Sequence, residues 1–197
     1  MKRLFDILSA SVVLLLFSPL LLLIACIIQF GSKGGIFYRQ ERIGKNGKIF
    51  RLYKFRTMRP NSDKGSLITI GGRDQRITKE GYFLRKYKLD ELPQLINILK
   101  GEMSVVGPRP EVKKYVDLYT ETQRKVLDVK PGLTDWASIS YIDENEILGK
   151  SPNPEKTYIE EIMPAKLALN LKYIEDISLL TDLKIIFLTF FKIFRRS

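Results

Sequence analysis

ILSASVVLLLFSPLLLLIACIIQFGS, residues 7–32, contains no charged side chain. A straight helix over these 26 residues would be roughly 39 Å long, longer than the ~30 Å hydrocarbon layer of a bilayer. The stretch therefore predicts a membrane-embedded segment, and one transmembrane helix is the simplest interpretation. A cleaved signal peptide is disfavoured, because no small-residue cleavage site follows a short apolar core.

Proline and flanking charge argue against a simple span. Pro19 follows Ser18 near the middle of the run, where proline removes a backbone donor and bends or breaks a helix. Both flanks are basic: Lys2 and Arg3 precede the run, and residues 33–60 contain nine Lys and Arg against one Glu. Positive charge is in excess on cytoplasmic flanks, so this pattern predicts that both ends lie in the cytoplasm. A re-entrant helix hairpin and a kinked single span both remain open.

Composition restricts the chemistry available to the chain. Its 197 residues carry 33 Lys and Arg and 22 Asp and Glu, a net charge of +11, which favours anionic partners such as nucleic acid, phosphorylated metabolites or a membrane surface. There is no histidine, which excludes Ser-His-Asp and Cys-His catalysis and the usual zinc sites. The single cysteine, Cys26, can form no intrachain disulfide. Catalysis and metal binding therefore fall to Asp, Glu, Lys, Tyr or Ser.

Residues 36–56 predict a β-hairpin, because Asn46-Gly47 supplies the positive φ that tight hairpin turns require. Lys54 and Arg56 lie on one face of the second strand. We expect these two cations to point together toward whatever that face contacts. A basic hairpin resting on anionic lipid headgroups is the alternative.

Helices account for most of the remaining pattern. Apolar spacing predicts them over residues 82–88, 90–100, 111–130, 164–178 and 179–194, and a loop over 59–81. Residues 179–194 are apolar but interrupted by charge, which favours an interfacial helix over a span, with a buried core helix as the alternative. Residues 137–163 carry six Asp and Glu against two Lys and predict a solvated acidic face, with sugar or partner contact as the alternative.

Residues 88–110, KLDELPQLINILKGEMSVVGPRP, place two adjacent carboxylates before an apolar helical pattern. Aspartate is a favoured N-cap and Pro93 is tolerated in a first helical turn, so a helix cap is one explanation of Asp90 and Glu91. Catalysis is the other. Without histidine, a carboxylate would attack phosphorus itself, and a helix N-terminus is expected to keep Asp90 ionised.

A catalytic role would also need cations and a metal. Lys54, Arg56, Arg85 and Arg109 are candidates to bind substrate phosphate, and Arg109 can do so with a bidentate fork. Mg²⁺ suits hard carboxylate oxygens and usually takes one or two of them together with substrate phosphates.

Several motifs together resemble the bacterial sugar transferases, the small monotopic phosphoglycosyl transferases. They are LDELPQL, NILKGEMSVVGPRP, YKFRTM, KPGLT, NLKY and the Ser-Pro break, and they cover nearly the whole chain. The resemblance implies transfer of a phosphosugar from a UDP-sugar to a polyprenyl phosphate, usually undecaprenyl phosphate. The implied products are polyprenyl-diphosphate-sugar and UMP, and the reaction begins the assembly of a membrane-linked glycan.

The resemblance also implies roles for particular residues. Asp90 is the implied nucleophile of a ping-pong reaction through a covalent phosphosugar intermediate, and Glu91 assists with Mg²⁺ or with proton handling, so both acids are candidate metal ligands. Arg109 resembles the family's phosphate ligand, and Lys54 and Arg85 match other basic positions. The break at Ser18-Pro19 implies a re-entrant helix with both ends at the cytoplasmic face of the bacterial inner membrane.

The predicted architecture is therefore α+β and helix-dominated. It comprises a re-entrant membrane helix hairpin over residues 1–32 and, over residues 33–197, a membrane-associated cytoplasmic catalytic domain with a small β-hairpin and interfacial amphipathic helices. After Trp136 many family members continue close to AQVNGR, whereas this chain reads ASISYIDENEILGK, so the sugar is not implied. A homodimer is left open. The alternatives without catalysis are a membrane-anchored basic scaffold and a nucleic-acid-binding protein, whereas the resemblance implies membrane lipids and no nucleic acid as partners.

Overall fold

The computed structural model describes residues 1–60, 62 and 74–195. Helices dominate and two small sheets accompany them, which confirms the α+β, helix-dominated prediction. The α-helices are α1 (Lys2–Leu16), α2 (Ser18–Gly31), α3 (Lys79–Lys86), α4 (Gln94–Lys100), α5 (Lys113–Val116), α6 (Glu121–Arg124), α7 (Trp136–Ser140), α8 (Glu144–Lys150), α9 (Pro154–Thr157), α10 (Met163–Glu175) and α11 (Leu179–Arg195). The strands are β1 (Phe37–Ile43), β2 (Ile49–Phe55), β3 (Ser104–Val106) and β4 (Gly132–Thr134).

The N-terminal apolar run is broken where the sequence predicts. Pro19 has no N–H to donate to the Leu15 carbonyl one turn earlier, and the hydroxyl of Ser18 donates to that carbonyl instead, at 2.8 Å. The axes of α1 and α2 differ by 64°. No single helix in the described part of the chain is long and apolar enough to cross a membrane, and α1 and α2 meet that requirement only as a bent pair. The re-entrant topology stays a prediction.

Both N-terminal helices pack against the β-hairpin. Ala10 of α1 lies in a core cluster with Leu52 of β2, and Ile28 of α2 lies in a second cluster with Phe55 at the end of β2. These clusters join the two sides of the domain boundary predicted at residue 32, and that division also stays a prediction.

The hairpin prediction is confirmed. β1 and β2 pair antiparallel, with Phe37 opposite Phe55. Asn46 and Gly47 in the turn both have positive φ, 56° and 73°, as the local sequence predicts. Of the loop predicted over residues 59–81, residues 61 and 63–73 lie outside the described residues, and α3 begins at Lys79, before the predicted start of the helix at residue 82.

The largest core cluster gathers side chains mainly from the second half of the chain, together with Ile43 of β1. Leu148 and Tyr158 are buried in it, so residues 137–163 pack inward as well as presenting charge. The continuous helix predicted over 111–130 is wrong. A capping box formed by Thr120 and Gln123 begins a new helix, and the segment consists of α5, α6 and a 3₁₀ turn at Lys125–Asp128.

The last helix, α11, has one buried face and one exposed apolar face, and its interfacial position stays a prediction. Ile185 and Asp182 on one face are buried, and the Asp182 carboxylate accepts a hydrogen bond from the Tyr173 hydroxyl at 2.6 Å and pairs with Lys2. The opposite face exposes large apolar side chains, among them Phe187 and Phe190. The helix is therefore packed against the core on one side and amphipathic overall.

Candidate active site

Two very short parallel strands position one side of the candidate site. β3 and β4 pair in parallel, with Ser104 opposite Gly132, so their carboxyl ends lie at one edge. A Cβ at Gly132 would lie 2.1 Å from the Gly107 nitrogen, so only glycine permits the close approach of these segments. The chain continues beyond that edge to Arg109 on one side and Asp135 on the other.

The carboxylate pair lies in a 3₁₀ turn, Leu89–Glu91, ahead of α4. The α4 helix begins only at Gln94, its N-cap is Pro93, and no side chain caps it. The helix-cap explanation of Asp90 and Glu91 is therefore wrong. Both carboxylates are buried, with 6% and 8% of their residues exposed, which requires another reason for two adjacent acids inside the protein.

Glu91 is held by two cations. One of its oxygens accepts hydrogen bonds from Lys54 Nζ at 2.8 Å and from Arg109 Nη2 at 2.6 Å, and the other accepts from Arg109 Nη1 at 3.3 Å. Burial alone would raise the pKa of Glu91. The Arg109 guanidinium and then the Lys54 ammonium outweigh burial and hold that pKa well below its ordinary value. Glu91 is therefore a firmly ionised carboxylate with both oxygens engaged.

Asp90 differs sharply from its neighbour. Its Oδ1 is buried without a hydrogen-bond partner among the described residues. Burial is the largest influence on the carboxyl and raises its pKa above the ordinary value; Lys54 opposes this shift and Glu91 adds to it. The expectation that a helix N-terminus keeps Asp90 ionised is not met, because Asp90 precedes α4 and Oδ1 receives no donor. A desolvated oxygen without a partner is what a nucleophile needs.

Of the four predicted phosphate-binding cations, the structure brings three to the carboxylates. Lys54 and Arg109 bind Glu91 directly. Arg85 donates from Nε to the Thr57 hydroxyl at 2.9 Å, and its charge lowers the pKa of Asp90.

Arg56 has other partners. Its guanidinium donates to the backbone carbonyls of Ile28 at 3.1 Å, Ser32 at 2.9 Å and Lys33, at the carboxyl end of α2. A cation suits that end of a helix because the last carbonyls lack partners there. The sequence predicts that Arg56 and Lys54 point together from one face of the second strand. In the structure their charged groups contact different parts of the protein. The Lys54 ammonium binds Glu91, whereas the Arg56 guanidinium binds the carboxyl end of α2.

Sequence reasoning missed three residues that build the site. Asp135, fully buried, accepts the backbone N–H of Arg109 at 3.1 Å and caps α7 through the N–H of Ser138. Aspartate is a favoured N-cap, so the position of Asp135 just before α7 could have predicted its capping role from the sequence.

Asn97, also fully buried, accepts the N–H of Tyr53 at 3.0 Å and donates to the Arg51 carbonyl at 2.8 Å, which fixes β2 against α4 and so places Lys54 beside Glu91. Lys88 has left-handed backbone angles immediately before the carboxylate turn. No sequence pattern predicts either arrangement.

The donor set fits a magnesium ion that binds together with phosphate. Among the described residues no group of three or more Asp, Glu, His or Cys could hold a metal. Asp90 has an oxygen without a partner, and Glu91 lies next to it. Because Mg²⁺ is commonly bound by one or two carboxylates plus substrate phosphates, two acids suffice.

Comparison with known proteins identifies the family. Residues 1–196 match the family described as "Bacterial sugar transferase". This chain belongs to the bacterial sugar transferase family. The match agrees with the family that the sequence motifs indicate. The matched region of this sugar transferase includes the buried acid pair and the Gly107–Arg109 segment.

Relatives of this sugar transferase cover nearly all of it. The UDP-glucose:undecaprenyl-phosphate glucose-1-phosphate transferase of Escherichia coli is 39% identical over 98% of the chain, and the chain spans 40% of that protein. ExoY, an exopolysaccharide production protein of Rhizobium meliloti, is 40% identical over 95% of the chain, which spans 83% of it. A UDP-N-acetylgalactosamine-undecaprenyl-phosphate N-acetylgalactosaminephosphotransferase of Aeromonas hydrophila is 37% identical over 95% of the chain, which spans 42% of it.

Proposed function

We propose that this sugar transferase moves a sugar-1-phosphate from a UDP-sugar to undecaprenyl phosphate, giving polyprenyl-diphosphate-sugar and UMP and so beginning a membrane-linked glycan. Family membership supports the proposal, as do the activities for which the Escherichia coli and Aeromonas hydrophila relatives are named. Within the structure, one observation carries it: the buried, unpartnered Oδ1 of Asp90 beside a carboxylate that two cations hold in place. A non-catalytic scaffold or a nucleic-acid-binding protein gives no reason for that arrangement.

In the first step, a carboxylate oxygen of Asp90 attacks the β-phosphorus of the nucleotide sugar. The bond between that phosphorus and the oxygen leading to the α-phosphorus breaks, UMP leaves with the electron pair, and the sugar phosphate remains as an acyl phosphate on Asp90. Lys54 and Arg109 carry the positive charge that lets an anionic carboxylate approach a diphosphate. Their binding to Glu91 holds both cations at the site before substrate arrives.

In the second step, a phosphate oxygen of undecaprenyl phosphate attacks the same phosphorus. The bond to Asp90 breaks, and the carboxylate is regenerated. Two steps suit one soluble and one lipid substrate, because UMP can leave before the lipid phosphate takes its place. Glu91 is the poorer nucleophile of the pair, since both of its oxygens are engaged and its negative charge is strongly stabilised.

We propose Mg²⁺ as the cofactor, with Asp90 and Glu91 as candidate protein ligands. Asp90 can bind the ion directly, whereas Glu91 would first have to release Lys54 or Arg109 from one of its oxygens. When bound, the ion would neutralise charge on the diphosphate and stabilise the leaving phosphate. The unpartnered Oδ1 of Asp90 supports this assignment.

We place the enzyme at the cytoplasmic face of the bacterial inner membrane. The outward faces of α1, α2 and α11 expose large apolar side chains such as Leu15, Phe30 and Phe187, which would lie in or on the bilayer. The 64° bend between α1 and α2 and the basic flanks favour a re-entrant hairpin. Such an arrangement would put the carboxylates near the phosphate of a membrane-bound acceptor.

UMP release tests the proposed reaction. The purified protein is given Mg²⁺ and each of a panel of UDP-sugars, with and without undecaprenyl phosphate. We expect steady UMP release with one or a few sugars when the acceptor is present, and without the acceptor a burst of about one UMP per enzyme. No UMP release from any UDP-sugar would contradict the reaction. Steady release with acceptor but no burst without it would contradict the two-step route.

A further inference from the structure

Lys88 has a backbone conformation that disfavours lysine. Its φ and ψ are 58° and 20°, in the left-handed region. Lys88 follows the end of α3, at a position where glycine or asparagine is usual. Among the described residues, Asn46 in the hairpin turn is the one other non-glycine residue with positive φ. Backbone geometry alone would favour glycine at position 88, so the lysine side chain calls for a separate explanation.

The backbone of Lys88 ties it to the active site on both sides. Its N–H donates to the Arg85 carbonyl at 3.3 Å, and its own carbonyl accepts the N–H of Glu91 at 3.2 Å, which closes the turn that holds both carboxylates. The charge of Lys88 also lowers the pKa of Asp90 and of Glu91. Lys88 therefore lies beside the acid pair, between it and Arg85.

Lys88 differs from the other cations of the site in that its side chain has no partner within the part of the chain that the structure describes. Lys54 and Arg109 are bound to Glu91, and Arg85 is bound to Thr57. Lys88 is exposed, and within residues 1–60, 62 and 74–195 its ammonium makes no hydrogen bond or ion pair. An incoming phosphate could bind it without breaking an existing ion pair. The ammonium is thus an exposed positive charge that acts on both buried carboxyls.

We propose that Lys88 binds a phosphate oxygen of substrate, and this inference rests on the function proposed above. The shared chemistry is a phosphate oxyanion, which either the nucleotide-sugar diphosphate or the acceptor lipid phosphate can supply. A purely structural role is the competing explanation, because a lysine near the carboxyl end of α3 is favoured by the helix dipole. The two explanations differ in what they move: phosphate binding changes the kinetic constants of a substrate, whereas a dipole contact changes only stability.

The test compares Lys88→Asn with Lys125→Asn. Asparagine tolerates the left-handed backbone and removes the charge, and Lys125 is an exposed lysine of the separate turn Lys125–Asp128. Loss of one charge-assisted hydrogen bond should lower kcat/KM by about ten- to a hundredfold. In a two-step reaction kcat/KM for the UDP-sugar reports the first step and kcat/KM for undecaprenyl phosphate the second, so the constant that falls identifies the phosphate bound. Lys125→Asn should leave both constants within about twofold.

A second pair of variants keeps the test decisive if Lys88→Asn folds poorly. Lys88→Gly suits the backbone still better and should show the same kinetic loss, and Lys88→Arg should retain most of the activity. Wild-type values of both kcat/KM constants in Lys88→Asn or Lys88→Gly would overturn the inference. That result would leave the proposed function intact, because UMP release and its burst are measured on the wild-type enzyme.

Discussion

Arg109 holds Glu91 through two hydrogen bonds, at 2.6 and 3.3 Å, although 18 positions separate them in the chain. This fork fixes Glu91, and with it the turn that carries Asp90, whose Oδ1 is buried and has no hydrogen-bond partner among the described residues. The neighbours therefore have opposite electrostatic environments. Glu91 is stabilised as an anion, whereas burial penalises the charge on Asp90.

Replacing Glu91 should destabilise the protein. Glu91→Gln leaves the buried charges of Lys54 and Arg109 uncompensated, and we expect a loss of about 3–5 kcal/mol in the free energy of unfolding at neutral pH. Because the pKa of Glu91 is lower in the folded state, its contribution is complete above the unfolded value of ~4.3 and is lost as pH falls through the lowered folded value. Chemical denaturation at pH 7, and in steps from about pH 5 down through the lowered folded value, measures both effects.

The control for this variant is Asp117→Asn, which breaks an exposed pair with Lys113. Exposed pairs contribute little, so its effect should stay under about 0.5 kcal/mol. Equal losses in the two variants would contradict the assignment of Glu91 as a buried anchor.

Replacing Asp90 should have the opposite effect on stability. Its pKa is raised in the folded state, so the stability linked to it is complete below the unfolded value of ~3.9 and is lost as pH rises through the raised folded value. Asparagine does not ionise, so Asp90→Asn does not lose this stability at high pH. At pH 7.5 it should unfold at the same temperature as wild type or at a higher one, and the difference in unfolding temperature should shrink toward pH 4.

Asp90→Asn should lose activity even though it keeps its stability. Turnover should fall at least ~10³-fold in Asp90→Asn because the nucleophile is gone. In the wild-type enzyme, kcat/KM for the donor should rise with pH through the raised pKa of Asp90, since only the ionised carboxylate attacks. Thermal melts and initial rates measured from pH 4 to pH 8 test both statements. A folded Asp90→Asn enzyme with more than a few per cent of wild-type turnover would refute the role of Asp90.

Asp135 should act by positioning Arg109. Asp135→Ala removes the cap of α7 and leaves the Arg109 N–H without an acceptor, at a cost of about 2–3 kcal/mol in unfolding free energy. We expect kcat/KM for the donor to fall about tenfold or more, because Arg109 is displaced. Thr120→Ala removes the exposed cap of α6 and should cost about 1 kcal/mol without changing kcat/KM. A normal kcat/KM in the folded fraction of Asp135→Ala would rule out the positioning role.

Arg56 should stabilise the N-terminal helix pair rather than bind substrate. Lysine keeps the charge but cannot reproduce a fork to three carbonyls, so Arg56→Lys should lose about 1–3 kcal/mol in unfolding free energy. Its KM for the UDP-sugar should stay unchanged. Arg51→Lys on strand β2, which immediately precedes Arg56, changes an exposed residue and should alter stability by less than about 0.5 kcal/mol. A higher KM without a loss of stability in Arg56→Lys would instead support the phosphate-binding role that the sequence suggests.

The parts of the fold set by local sequence could be predicted, and those set by distant contacts could not. The break at Pro19 and the hairpin at Asn46-Gly47 follow from backbone chemistry within a few residues. The contact of Lys54 with Glu91 depends on Asn97 joining β2 to α4, which no periodicity reveals.

The motifs that the family resemblance identified place Asp90, Glu91 and Arg109 correctly as a group. They do not show which carboxylate is free, because that depends on where Arg109 and Lys54 reach. Asp135 contacts Arg109 only because β3 and β4 pair in parallel, and three-residue strands are too short to give an alternating pattern.

Mass spectrometry of the enzyme incubated with its UDP-sugar and Mg²⁺, without acceptor, tests the central claim most directly. We predict a mass increase of one sugar phosphate that maps to Asp90, disappears when undecaprenyl phosphate is added and is absent from Asp90→Asn. An enzyme that turns over both substrates but never carries sugar phosphate on Asp90, or carries it on another residue, would contradict the account.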